Sequence, residues 1–100
     1  MRVSARFKNE VTSVRVMATH PMETGRRSDQ QTGELIPAKY IQELSCEHQG
    51  KIVFIAQFGS SMSENPYLSF SFKGGQKGDT LQFRWNDNTG DVEKTDTIIK

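Results

Sequence analysis

Few side chains in this sequence could do chemistry, and their spacing limits what they could do. Cys46 and His48 stand one residue apart. On a strand, positions i and i+2 share a face, so the pair could turn toward one metal ion. Two ligands do not make a zinc site, which takes three or four, and His20 is the only other imidazole. A nucleophilic Cys46 would need access and a depressed pKa. It lies two residues beyond Leu44, on the same face of an expected strand, and reads instead as a small buried hydrophobe. Glu43 and Glu47 read as the solvent side of that strand, and His48 as a polar residue at a hairpin mouth. No nucleophile elbow marks a serine beside either histidine. No glycine-rich phosphate loop opens a helix. The expectation is therefore a chain with no catalytic residue, no metal ligand and no cofactor.

The elements that position these residues are strands. Thr12, Val14, Val16 and Ala18 alternate with more polar neighbours, the period of a half-buried strand. Leu68, Phe70 and Phe72 form a second such face, and Leu81, Phe83 and Trp85 a third. Further strands are expected over Val3–Lys8, Tyr40–Glu47, Lys51–Phe58 and Val92–Ile99. Gln49-Gly50 separates two of them closely enough for a hairpin. The runs 74–79 and 86–91 supply the Gly and Asn of turns. Asn65-Pro66 reads as a turn into an edge strand starting at Tyr67. No amphipathic helix is apparent. Seven short strands in 100 residues predict an all-β, immunoglobulin-like antiparallel β-sandwich, one domain over 1–100, with a small barrel as the alternative.

Composition excludes several classes. The longest apolar run, Ile52 to Ala56, is far short of the roughly 20 residues of a bilayer span. A formal charge of +1 argues against a generic nucleic-acid binder, and Arg26-Arg27 is the only basic pair. A single cysteine excludes an internal disulfide. The first residues form no apolar signal-peptide core, which by itself points to the cytoplasm.

Two segments depart from a plain sandwich. Pro21 to Pro37 is too long for an ordinary connection and is aperiodic, and loops of that length are usually functional or disordered. The run Ile52-Val53-Phe54-Ile55-Ala56 is apolar on both faces. With Ile52, Phe54 and Ala56 toward the core, Val53 and Ile55 face outward and are expected to contact a partner.

The string His20-Pro21-Met22-Glu23-Thr24-Gly25 with Arg26 or Arg27 and Asp29, then Ile36-Pro37 and Tyr40-Ile41, resembles the SoxZ family. Cys46-Glu47 before Gly50-Lys51, Asn65-Pro66-Tyr67 before Phe70 and Phe72, and Phe83 and Trp85 with Asp87 and Gly90 extend the resemblance over Val11 to Ile99. The resemblance implies an immunoglobulin-like subunit that pairs with SoxY. SoxY bears a cysteine on a glycine-rich C-terminal arm, and that thiol carries sulfur intermediates while thiosulfate is oxidised to sulfate. The present sequence closes on Thr95-Asp96-Thr97-Ile98-Ile99-Lys100, with no such arm, and matches the scaffold rather than the carrier. The implied site of action is the periplasm, reached by export with a signal-bearing partner.

On this reading Val53 and Ile55 meet SoxY. His20, Met22, Glu23, Thr24, Gly25 and Arg26, with Asn65, Pro66 and Tyr67, are the other partner-binding candidates. The Met22–Arg26 segment recognises visiting Sox enzymes or supports the swinging arm, or else is a tight turn with Met22 plugging the core. Neither nucleic acid nor a membrane is an expected partner, and the isolated chain could self-associate. The rival reading is an immunoglobulin-like interaction module unrelated to sulfur.

Overall fold

The computed structural model describes residues 1–100. Seven strands form: β1 (Arg2–Lys8), β2 (Val11–Met17), β3 (Ile41–His48), β4 (Lys51–Gln57), β5 (Tyr67–Lys73), β6 (Thr80–Asp87) and β7 (Val92–Ile98). There is no helix. Every pairing is antiparallel. One sheet has the order β1-β2-β5 and the other β4-β3-β6-β7, so the chain is a β-sandwich. The fourth strand joins β3 rather than β5, as when an immunoglobulin-type strand switches sheets.

The core lies where the alternation placed it. Thr12, Val14 and Val16 of β2, with Ala18 just beyond it, are buried against Leu81, Phe83 and Trp85 of β6. Leu44 and Cys46 of β3 complete the inner face of the larger sheet. Phe54 of β4 stacks on Phe70 of β5 with ring centroids 3.9 Å apart, closing one side of the sandwich. Near the other side the chain end crosses over. The Phe7 N–H donates to the Lys100 carbonyl (2.8 Å) and the Lys100 N–H to the Ala5 carbonyl (3.0 Å), so β1 gains a neighbour from the segment after β7.

The tight turns follow backbone requirements. Asn9-Glu10 between β1 and β2 and Gln49-Gly50 between β3 and β4 have positive φ at both central residues. That matches the twist of two-residue hairpins. Gly75 is constrained more severely. A Cβ there would sit 2.6 Å from Thr12 Oγ1 and 3.1 Å from Ile99 Cδ1.

The apolar run on β4 holds a correction. The β3–β4 register shifts between Cys46 and Glu47: Cys46 pairs with Phe54 and Glu47 with Ile52. Val53 is the extra residue of a β-bulge. The slip moves Val53 inward, half-buried and packed on the core, and turns Ile52 outward at 58% exposure. Ile55 faces solvent as expected, at 50%. The outward pair on this edge strand is therefore Ile52 and Ile55, not Val53 and Ile55.

Candidate interaction site

Three connections meet at one end of the sandwich: residues 18–40 between β2 and β3, 58–66 between β4 and β5, and 88–91 between β6 and β7. The long one is ordered. Glu23 and Lys39 exchange backbone hydrogen bonds of 2.6 and 3.0 Å, and Ser28 bridges Leu35. The Asp29 carboxylate accepts the N–H groups of Gln31 and Thr32, and the Gly33 N–H donates to the Asp29 carbonyl, which turns the tip. The segment is thus a two-stranded finger, exposed from Arg26 to Leu35. The molecule is 53 Å long, more than twice the roughly 23 Å of a seven-residue strand.

The base of the finger is fixed by His20. Its ring is buried, edge-on to Trp85 at 5.1 Å. Nδ1 accepts the Met22 N–H (3.0 Å), so Nε2 bears the hydrogen and donates to Asp87 Oδ2 (3.0 Å). Lys39 Nζ also donates to Asp87 Oδ2 (2.9 Å), and reaches Thr89 and Asp91. Asp87 Oδ1 accepts from the Thr89 N–H and hydroxyl and from the Asp91 N–H. Burial alone would push the Asp87 carboxyl up. Bonds from Thr89, His20 and Lys39 outweigh it and hold the group well below the usual carboxylate range. Asn88 clamps the returning strand of the finger. Its Oδ1 accepts the Tyr40 N–H at 2.7 Å and its Nδ2 donates to the Ala38 carbonyl at 2.9 Å.

The sequence candidates divide by position. His20 and Met22 are buried and act through the shape of the loop. Met22 has left-handed backbone (φ 49°), and its Sδ accepts the Ile41 N–H at 3.3 Å. Gly25 (φ 85°) lies close against Ala38. The Thr24 hydroxyl accepts the Arg26 N–H, a local turn bond. The Glu23 carboxylate, held low by its hydrogen bond from Arg27, braces the finger from outside. Arg26 is exposed. Asn65 joins the base of the finger through His20, and the Pro66 carbonyl accepts the Ala18 N–H. Tyr67 begins edge strand β5 and is 53% exposed, beside Met17 on the outer face of the smaller sheet. Val53, Ile52 and Ile55 lie on β4, outside this cluster. Asp87 was legible in the family resemblance and, with Asn88, Thr89 and Asp91, as a turn, but not as a ligand of His20, and Lys39 carried no signal.

Cys46 is fully buried, and burial, with a smaller push from Glu47, raises its thiol to about 12. His48 Nε2 lies 2.8 Å from Asp79 Oδ2 beside the β3–β4 turn. No three His, Cys, Asp or Glu side chains converge in metal-binding fashion.

The outer face of the larger sheet has a different character. Ile52 and Ile55 stand at its β4 margin and Val92 and Ile98 on β7, all about half exposed. Between them run Ser45, Glu47, Gln82, Arg84, Lys94 and Asp96, which line a shallow depression. Beside Ile52 and Ile55 the β4 edge leaves backbone groups without a neighbouring strand.

Comparison with known families agrees with the motifs. The model of the sulphur oxidation protein SoxZ family matches residues 1–97. The chain belongs to the SoxZ family. No curated protein matches it. Membership gives this SoxZ-family chain a role in the Sox sulfur-oxidation system.

Proposed function

We propose that this chain is the scaffold subunit of a heterodimeric sulfur carrier. It pairs with a SoxY-like subunit through the outer face and β4 edge of the larger sheet, and the partner's terminal cysteine bears the sulfur. The chain contributes no catalytic group, and the pair works in the periplasm. The observation that carries this reading is the exposed pair Ile52 and Ile55 on an edge strand. Two β-branched aliphatics beside unpaired backbone groups are a liability for a lone domain, and a partner removes it. Burial of Cys46 with its raised pKa agrees with a thiol that does not itself carry sulfur. The ordered finger supplies a second surface at the end of the sandwich, held in one shape by His20 and Asp87.

The test is native mass spectrometry of the chain co-expressed with the SoxY-like chain of the same organism, before and after thiosulfate loading by the cognate enzymes. A one-to-one complex with sulfur adducts only on the partner's terminal cysteine is expected. No complex, or adducts on Cys46, overturns the reading.

A further inference from the structure

Every charged side chain on the outer face of the smaller sheet is a cation. β1 turns Arg2, Ser4, Arg6 and Lys8 to solvent, β2 turns Ser13, Arg15 and Met17, and β5 turns Tyr67, Ser69, Ser71 and Lys73. Five cations share this face with serines, and β1, β2 and β5 contain no acidic residue. All twelve Asp and Glu lie elsewhere in the chain. None of the five cations takes part in an ion pair. Register sets Arg15 opposite Ser4, and Arg6 opposite Ser13, so the two arginines are diagonal neighbours. Together with Lys100 these four residues line one shallow depression. The formal charge of +1 conceals this segregation.

We propose that this face docks an acidic protein surface, that of an enzyme visiting the sulfur carrier. The inference rests on the carrier reading above and adds the face and the chemistry of its visitor. Unpaired like charges collected on one sheet face repel each other, and an anionic partner relieves that repulsion. Three of the five are arginines, whose planar guanidinium suits bidentate contact with carboxylates. Tyr67 and Met17 at one corner supply an amphipathic anchor of the kind enriched at protein interfaces. Duplex DNA fits less well, because the chain has a formal charge of only +1 and its twelve carboxylates would face phosphates beyond this small patch. The face measures roughly 23 by 14 Å from strand geometry, small against the roughly 800 Å² per partner of a stable interface. The contact is therefore transient and salt-sensitive, which suits an enzyme that must arrive, react and leave. It also leaves the opposite sheet free for the permanent partner.

The experiment uses the assembled heterodimer as the varied substrate of each purified Sox enzyme of the same organism, at about 20 and about 200 mM salt. Arg6→Glu with Arg15→Glu is compared with wild type, with folding checked by circular dichroism and pairing by native mass spectrometry. For at least one enzyme KM rises roughly tenfold at low salt with kcat unchanged, and its salt dependence shrinks. Arg6→Gln with Arg15→Gln falls between. Unchanged KM for every enzyme, with the heterodimer intact, overturns the docking face alone. Loss of binding to phosphatidylglycerol vesicles or duplex DNA in the variant, with enzyme kinetics unaffected, assigns the face to another partner and overturns it too. Low-salt self-association that the variant abolishes, again without a kinetic effect, does the same. Failure of the wild-type chain to pair at all overturns the carrier reading and this inference with it.

Discussion

Asn65 holds His20 in both directions. Its backbone N–H donates to the His20 carbonyl at 2.9 Å, and its side-chain Oδ1 accepts the His20 N–H at 3.0 Å. Asn65 does this from the left-handed region (φ 50°), which asparagine tolerates better than most residues. One residue thereby joins the β4–β5 connection to the base of the finger, while the His20 ring joins that base to Asp87 and the β6–β7 turn.

Replacing Asn65 separates these two contributions. Asn65→Ala loses the side-chain bond and strains the backbone, and is expected to lower unfolding stability by about 2 kcal/mol. Asn65→Gly relieves the strain but not the lost bond, and falls between. Urea unfolding reads both as midpoint shifts at constant slope. Equal stability of all three proteins would show that the clasp carries no weight.

Asp87 makes stability depend on acid. Its folded pKa lies below the ordinary 3.8, so its contribution is fully present above that value and is lost as pH falls toward the folded pKa. Wild type is expected to exceed Asp87→Asn in urea midpoint at pH 7, and the gap to narrow steadily below about pH 4. A gap that stays constant down to pH 2 would place the effect outside the carboxylate.

Cys46 should be inert while the chain is folded. A thiol raised to about 12 from 9.0 has roughly a thousandfold less thiolate at pH 8, and burial removes access as well. An aromatic disulfide reagent is expected to modify it slowly in buffer and rapidly in urea. Equal rates in the two would return Cys46 to the list of functional thiols.

Two glycines of similar backbone make a controlled pair. Gly33 (φ 74°) faces open space, whereas a Cβ at Gly75 (φ 79°) meets Thr12 and Ile99. Gly33→Ala is expected to cost about 1 kcal/mol from the backbone alone, and Gly75→Ala at least twice that. Similar thermal midpoints for the two variants would mean the segment after β5 shifts freely.

Much of this fold was readable because strands on a sandwich alternate. Leu81, Phe83 and Trp85 declare their inner face, and so do Val14 and Val16. The bulge on β4 was not readable. Five consecutive apolar residues have no period, so nothing in the order Ile52-Val53-Phe54 reveals where the register slips. The finger was visible as a length but not as a structure, since its bridges join Glu23 to Lys39 and Ser28 to Leu35 without a periodic pattern. The motif residues His20, Asn65 and Asp87 lie 45 and 67 positions apart, and only the sandwich topology brings them together. The cationic face was present at alternate positions of β1 and hidden in the total charge.

On the proposed function, Ile52 and Ile55 contact a SoxY-like subunit. The most direct test is native mass spectrometry of Ile52→Asp with Ile55→Asp co-expressed with that subunit, alongside the thermal midpoint of the isolated variant. Because both side chains are half exposed in the lone chain, the variant should stay folded with only a modest drop in midpoint and yield no heterodimer. Val53→Asp, by contrast, should lower the midpoint further, since Val53 packs on the core. A double variant that pairs as well as wild type would overturn this contact.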